Sequence, residues 1–525
     1  MWALTRDPCD EILVRSAPVT STCSKARGRW ILVATILATS MAFIDGTVVN
    51  VALPALQKNL NATAVDVQWV VEAYSLLLSA FLLVGGSLGD HYGRRRIFLI
   101  GVTLFAIASA ACGFAATINQ LIGARAFQGF GAALLVPGSL AIISSSFSEQ
   151  ERGRAIGTWS GFSAITASIG PVLGGWLIEH VSWRAVFFIN LPIAVLIIII
   201  SLRHVAENSD REKARVDWGG AILAAGGLGA LVYGLIESSR VGFSDRAVMA
   251  VLIVAGVLLI AFLFVEVRSS HPMLPLSLFR SRIFTGTNLL TFLLYAALSG
   301  TLFFLPLNLI QVQHYSPTAA GAALLPFILI VSVLSRWSGG LVARYGPRLP
   351  LIVGPLIAAV GFLLFLLPRV GGDYWTNFFP PVVFLGLGMA ISVAPLTTTV
   401  MNSVPQNRAG IASGVNNAVA RTAGLVAIAV LGIVMLDVFK TELDRHLRQQ
   451  QLPPSISQSL REQSTKLAAI GIPANQDSAA QQLVRRAIDD SFVAGFRTVM
   501  LIGAALAVAS AIVALIFISS AKAPA

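Results

Sequence analysis

The sequence predicts an all-α, polytopic membrane protein, and three observations carry that prediction. Of 525 residues, 56% are hydrophobic and only 12% are charged, with a mean hydropathy of +0.78. A soluble globular domain carries about 45–50% apolar and about 25% charged residues, so half the usual charge cannot cover a water-soluble body of this length. Apolar runs recur about fourteen times, each near the roughly 20 residues that a helix needs to cross a hydrocarbon core about 30 Å thick. Lys and Arg gather in every second connecting loop. Disordered, fibrous and secreted classes fail on the same composition, since each needs polar or repetitive sequence.

Taken in order, the runs fall at 30–52, 69–89, 97–118, 121–146, 154–177, 183–203, 218–237, 246–267, 283–307, 317–341, 349–368, 376–401, 409–435 and 493–520. Gly, Ser and Asn dilute the fourth and thirteenth. Residues 1–29 have no apolar core and end in Lys25, Arg27 and Arg29, so they read as a cytoplasmic tail and not as a signal peptide. The loops after the second, fourth, sixth, eighth and tenth runs hold Arg94–Arg96, Arg152 and Arg154, Arg203 to Arg215, Arg268 to Arg282, and Arg344 with Arg348. The alternate short loops hold only Lys58, Arg184, Arg240, Arg246 and Arg369. Cytoplasmic loops collect Lys and Arg, so both termini are expected inside and the helix count is expected to be even.

The formal net charge of +12 resolves into these loops and the tail, and no nucleic-acid partner is required. Residues 437–492 carry seven Lys and Arg on the outer side, but long loops translocate largely regardless of charge. Within them, Asp437–Gln451 and Ile456–Ile470 have helical periodicity, which predicts short amphipathic helices on the outer surface. No Gly-x-x-x-x-Gly-Lys-Ser/Thr phosphate loop occurs, and no soluble segment is long enough to hold an enzyme. Work must then be driven by ion or substrate gradients, with no cofactor. Cys9, Cys23 and Cys112 have no metal-ligand spacing, and no metal site is expected.

Four motifs carry chemistry. The loop after the second run reads Gly86-Ser-Leu-Gly-Asp90-His-Tyr-Gly93-Arg94-Arg95-Arg96. Gly86 and Gly89 suit a close helix–helix approach, Gly93 a tight turn, and Asp90 faces the arginine cluster. This loop resembles the signature of the major facilitator superfamily, in which the Asp and Arg latch a cytoplasmic gate. Ile44-Asp45-Gly-Thr-Val-Val-Asn50-Val-Ala-Leu-Pro54 resembles the first-helix motif of that superfamily's fourteen-helix drug–proton antiporter branch. Arg125-Ala-Phe-Gln128-Gly-Phe-Gly-Ala-Ala133 is similar to its fourth-helix motif. Gly157, then Gly170-Pro171-Val-Leu-Gly174-Gly175, resembles the antiporter signature that marks exporters, with Thr166 where the pattern often has Gly. Ser182–Pro192 also matches the branch's fifth-to-sixth connection.

Ionisable groups within apolar runs are functional candidates independently of any family. At 1.5 Å per residue, Asp45 lies about 22 Å along an outward-running helix and Arg125 roughly 6 Å below the outer face of an inward-running one. In a core about 30 Å thick these depths nearly coincide, and Glu72 sits at a similar level. Asp45, Glu72 and Arg125 are therefore expected to form one polar cluster, each lowering the cost of burying the others. Proton and substrate cation would compete for its carboxylates, the simplest physical basis of antiport. Arg421 and Arg336 are also buried by hydropathy. Asn50, Gln128, Asn288, Asn416 and Arg421 are candidates for the substrate cavity, the amides also suiting bonds between helices.

What the resemblance implies is two six-helix bundles, 30–203 and 283–520. The second includes the extracytoplasmic loop 437–492; a linker, 204–282, holds two extra membrane helices, and 521–525 form a C-terminal tail. Gly339-Gly-Leu-Val-Ala-Arg-Tyr-Gly-Pro-Arg348 echoes the Gly86–Arg96 loop at the corresponding place of the second half, as a duplicated transporter predicts. The implied activity is alternating access in a bacterial inner membrane, protons moving in and hydrophobic, cationic compounds moving out. The lipid bilayer and the small-molecule substrate would be partners, with a periplasmic adaptor protein as a further one. Asp45 would couple protons with Arg125 tuning it, while Asp90 and Arg94 work the gate. Export of a metabolite such as a siderophore, amino acid or lipid remains the alternative, and Arg421 facing the cavity would favour an anionic substrate.

Overall fold

The computed structural model describes residues 25–147, 149–207, 217–269, 272, 274–405, 409–450, 454–472 and 478–518. All fourteen apolar runs are helical, and there is no strand among the described residues. The long helices are α1 (Lys25–Asn59), α2 (Ala64–Tyr92), α3 (Arg94–Phe114), α4 (Ile118–Ser146), α5 (Glu149–His180), α6 (Asn190–His204), α7 (Trp218–Val241), α8 (Arg246–Arg268), α9 (Arg282–Leu307), α10 (Leu325–Gly339), α11 (Arg348–Leu364), α12 (Phe379–Asn402), α13 (Ala409–Gln449) and α14 (Ser478–Phe517). Among the described residues, twelve stretches are long and apolar enough to cross a membrane; α5 and the shorter α11 take the places of the fifth and eleventh runs. Residues 1–24 with Cys9 and Cys23, the basic residues Arg211, Lys213 and Arg215, and the tail 521–525 lie outside the described residues, as does the side chain of Arg336.

Local chemistry sets the helix starts. Thr63 and Asp66 form a capping box at α2, and Asp217, Asp245 and Ser281 cap α7, α8 and α9 with their side chains. The diluted fourth run forms one unbroken helix, and two of its glycines, Gly129 and Gly131, face neighbouring backbone. A Cβ on Gly129 would stand 2.2 Å from the Tyr74 carbonyl oxygen, and one on Gly85 would stand 2.1 Å from that of Ala133. The close approach expected of Gly86 and Gly89 therefore belongs to their neighbour Gly85. Gly86 has only ordinary contact room against Pro137, and Gly89 likewise against Arg94.

Helices α1–α6 pack as one group and α9–α14 as another. The extra pair lies at their junction: α7 packs against α2 of the first group and α13 of the second, and α8 lies outside, against α7. Two faces result. An arginine-rich face carries the α2–α3 turn and the starts of α9 and α11; the opposite face carries Lys58 and residues 454–472. The α2–α3 and α10–α11 connections repeat each other. Gly93 (φ 109°) precedes α3, which starts at Arg94, and Gly346 (φ 74°) lies two residues before α11, which starts at Arg348.

On the opposite face the sequence-based expectation needs correction. Asp437 to Gln449 form no separate surface helix but extend α13 by about three and a half turns. Leu436, Phe439, Leu443 and Leu447 recur at helical spacing and are buried in the main core. Only the second stretch forms short pieces, Pro454–Glu462 and the 3₁₀ turn Ser464–Ala469. Bonds joining the two groups gather on this face. Gln57 donates to the Lys466 carbonyl at 3.2 Å, Lys466 Nζ to Asn61 Oδ1 at 2.7 Å, and Gln311 to Gln57 Oε1 at 2.7 Å. The Thr318 amide donates to Glu179 at 3.3 Å. The molecule is thus sealed at the opposite face.

Candidate functional site

Asp45 and Arg125, one on α1 and one on α4, meet as the depth argument requires. Arg125 donates through one terminal nitrogen to Asp45 Oδ2 at 2.5 Å, and both side chains are at most 1% exposed. Gln128, one turn along α4, accepts from the same nitrogen at 2.7 Å and donates to Asp45 Oδ1 at 2.8 Å. Asn190, at the start of α6, donates to that same oxygen at 3.1 Å and to Ser109 Oγ at 3.0 Å. Ser109 passes the chain on to the Phe187 carbonyl. Arg125 is held further by the Val70 carbonyl at 3.1 Å and by the face of Tyr74, its guanidinium carbon 4.2 Å from the ring centre. The Asp45 carboxyl thus accepts three bonds from three different residues, the arrangement that lets a charge pair persist in an apolar interior.

Glu72 does not join. It is fully buried, yet neither carboxyl oxygen has a hydrogen-bond partner among the described residues. The expected three-member cluster is therefore a pair, with Gln128 and Asn190 filling the coordination that Glu72 was expected to share. The physical reason is helical phase. Val71, Tyr74, Ser75 and Leu78 turn toward α1 and a central cavity, whereas the Glu72 stripe turns toward α7 and α13.

That cavity, about 220 Å³, lies between the two helix groups, with Phe43, Thr47, Tyr74, Ser75, Arg125 and Arg421 in its wall. Asp45 lies behind Arg125 and is sealed from it. Of the five residues expected to line a substrate cavity, only Arg421 does so. Gln128 belongs to the Asp45 network. Asn416 bonds across α9–α13 to Asn288 at 3.1 Å and to Thr291 at 2.7 Å, and Asn50 Oδ1 is buried without a partner. A wider cleft of about 840 Å³ opens at the opposite face beside the sealing bonds, with Gln57, Lys58, Gln311, His314, Lys466 and Arg485 in its wall.

The turn at the arginine-rich face is held by two acids. Asp90 pairs with Arg94 one turn on, at 2.7 Å. Glu207, just after α6, accepts from the backbone amides of Arg95 and Arg96, each at 3.1 Å, and so caps the start of α3, where an anion complements the helix dipole. Gly93 is required by its backbone, with φ at 109°; a Cβ there would also stand 2.6 Å from the Glu207 carboxylate, the far end of a side chain that would have to shift. Sequence reasoning missed Glu207 because it lies more than 110 residues from its partner.

Gly170, Pro171, Gly174 and Gly175 form a packing surface on α5. A Cβ on Gly170 would meet Thr47 of α1 at 2.2 Å and one on Gly174 would meet Val48 at 2.6 Å. One on Gly175 would stand 2.3 Å from the Pro317 carbonyl oxygen of the other helix group, and one on Gly321 there would stand 2.1 Å from the Pro171 carbonyl oxygen. Thr166 departs from the usual Gly for a visible reason: its hydroxyl donates to Ser40 on α1 at 2.8 Å. Gly157 has nothing within 4 Å and takes no part in this packing.

The sequence pattern of the Major Facilitator Superfamily matches residues 35–428. The chain belongs to that superfamily. Multidrug resistance protein Stp of Mycobacterium tuberculosis is 36% identical over 422 residues, covering 79% of this chain and 77% of that one. The Tetracenomycin C resistance and export protein of Streptomyces glaucescens is 31% identical over 499 residues, covering 94% and 92%. Among solved structures, a bacterial homolog of the human lysosomal transporter Spinster matches with a TM-score of 0.64 at 16% identity, covering 94% of this chain and 97% of that one. This superfamily member is thus a multi-pass membrane protein whose curated relatives are multidrug and antibiotic resistance proteins.

Proposed function

We propose that this chain is a proton-coupled exporter of hydrophobic compounds that works by alternating access across fourteen membrane helices, with its arginine-rich face and both termini in the cytoplasm. The orientation follows from the distribution of Lys and Arg. The bonds of Gln57, Gln311 and Lys466 that tie the two helix groups at the outer face support reading the central cavity as that of an inward-facing form. The observation that carries the reading is the buried Asp45–Arg125 pair at the wall of that cavity. Ionisable groups at membrane depth are costly and are retained where they work.

The coupling runs through Arg125 and not by direct competition for Asp45, since Asp45 is sealed behind it. A proton placed on Asp45 removes the charge that holds Arg125. The guanidinium is then free to shift within the cavity wall beside Tyr74, altering the charge that a substrate meets. Asp90, Arg94 and Glu207 brace the α2–α3 turn that must move when the cytoplasmic side closes. The resemblance to drug–proton antiporters favours a cationic substrate. Arg421 supports a second reading: it faces the same cavity without a hydrogen bond or ion pair among the described residues, and an unpaired cation favours a substrate with an anionic or strongly electronegative group.

The test is efflux of lipophilic dyes from proteoliposomes under an imposed pH gradient. Wild type should accelerate efflux with the gradient, and Asp45→Asn should lose that dependence. Efflux of the same rate with and without the gradient would sink proton coupling. Loss of anionic but not cationic dye transport in Arg421→Gln would establish the second reading.

A further inference from the structure

The cleft at the outer face takes no part in the mechanism proposed above. It measures about 840 Å³, within the range that holds a drug-sized ligand. Four basic side chains stand in its wall, and both helix groups supply them. Lys58 comes from the last turn of α1, His314 from the connection after α9, Lys466 from the turn Ser464–Ala469 and Arg485 from α14. No Asp or Glu lines the cleft among the described residues. The rest of the wall is mostly apolar and includes Val51, Pro54 and Ile310.

These charges are held in place and only partly offset. Lys466 Nζ bonds the neutral Asn61 at 2.7 Å, and Lys58 has no hydrogen bond or ion pair among the described residues. Arg485 donates to the Ala468 carbonyl at 3.4 Å and to the Gln311 carbonyl, and it pairs with Asp489 at 3.1 Å. Other acids of this face are engaged elsewhere: Asp444 with Arg461, Glu442 with Arg445, and Glu179 with the Thr318 amide. The cleft therefore keeps an excess of positive charge. Burial, and then the Arg485 charge, hold His314 below the ordinary histidine range, as a basic pocket without a counter-anion does. His314 also takes a left-handed backbone, φ 57°, a strain of the kind that clusters at ligand sites.

We propose that this cleft binds an amphipathic anion, an acidic group on an apolar body, from the outer side, and that the bound anion holds the two helix groups together. The acidic group meets Lys58 from one helix group and Lys466 from the other, while the apolar body lies along Val51, Pro54 and Ile310. A cation is repelled by this wall, and a small inorganic anion leaves most of its volume and apolar surface unfilled. The wall is complete only while the two groups are together. The anion therefore binds the sealed state in preference and shifts the equilibrium toward it, so that an anion in the outer medium slows export. The inference rests on the alternating-access reading but not on proton coupling at Asp45.

Dansylglycine and dansylcadaverine carry one fluorophore with opposite charges, and titrating each onto the full chain in phosphatidylcholine liposomes tests the site. Dansylglycine should bind saturably and more tightly than dansylcadaverine. Replacing both lysines, Lys58→Gln with Lys466→Gln, should weaken it about tenfold, since each partly exposed charge pair contributes up to roughly fivefold. Lys58→Glu should narrow or reverse the preference between the probes. Spin-label distances between Asn119→Cys on α4 and Arg448→Cys on α13, in a Cys9→Ser, Cys23→Ser background, read the second half of the proposal. Dansylglycine at ten times its Kd should raise the sealed-to-open ratio about elevenfold. Equal binding of the two probes, or undiminished binding in the double variant, would overturn the site. Binding with an unchanged ratio would overturn the bridging role. A single distance under every condition would overturn alternating access along with it, and binding that persists tells that failure from loss of the site. A ratio that rises with added phosphatidylglycerol, and that dansylglycine then cannot increase, would support the site and name a lipid as its occupant. A ratio that responds to dansylglycine alone names a soluble anion.

Discussion

At the scale of single residues, the site is one carboxylate and the donors that surround it. Asn190 supplies one of three bonds to Asp45 and also ties Ser109, so Asn190→Ala leaves a buried carboxylate oxygen one donor short. The expected cost is about 1.5–3 kcal/mol, the range for a hydrogen bond to a charged group, read as a lower melting temperature together with a weaker gradient dependence of efflux. Gly93→Ala should also destabilise, by about 1–3 kcal/mol, because an alanine must take a left-handed backbone and meet Glu207. Glu207→Ala in the same background removes that contact and should recover little of the loss, since the backbone strain remains. Asp45 and Arg125 were legible in the sequence because ionisable groups inside apolar runs are few and costly, so each one stands out as a candidate. Asn190 and Ser109 were not, since neutral polar residues are common in such runs. Glu72 was legible as important but not as to place, because its partner helices are set by the phase of α2 and not by depth along it.

At the scale of elements, composition revealed the helices but not their ends. Hydropathy stops near residue 435, yet α13 continues to Gln449, since its polar extension keeps an apolar stripe that packs into the core. In the same way α14 begins at Ser478, well before its apolar run, with Val484 and Ile488 buried. The glycines of α5 were legible as a motif, and the structure adds what each one touches. Gly175 and Gly321 seat α5 against the helix Pro317–Ala322 through reciprocal backbone contacts between the two helix groups, contacts that alternating access would have to break when that face opens. Gly175→Val should therefore disfavour the sealed state and leave each helix group intact. Spin labels across the outer face should then show the longer distance in a larger fraction of molecules, with little change in far-UV dichroism. An unchanged distance distribution would mean that the small-residue surface serves only packing within the first group.

At the scale of the whole molecule, the sealed face is a composite. The internal echo of Gly86–Arg96 in Gly339–Arg348 announced two related halves, and both turns do pair a left-handed glycine with an arginine at or near the next helix start. No echo announces the seal, because its bonds are between unrelated positions. Gln57 of α1 is its hub: it accepts from Gln311 and donates to the Lys466 carbonyl, while Arg485 reaches the Gln311 carbonyl. Residues 454–472 thereby bridge both halves and do not merely cover one. Each neutral bond contributes about 0.5–1.5 kcal/mol, so losing one lowers the sealed-to-open ratio by roughly 2- to 12-fold. Gln57→Ala removes two bonds at once and Gln311→Ala shares one of them. The double variant should therefore open the face less than the sum of the single effects, the signature of residues in one network. The labelled pair at positions 119 and 448 reads that ratio directly. Strictly additive effects would show instead that Gln57 and Gln311 act independently, and that the seal is held by packing between the helices.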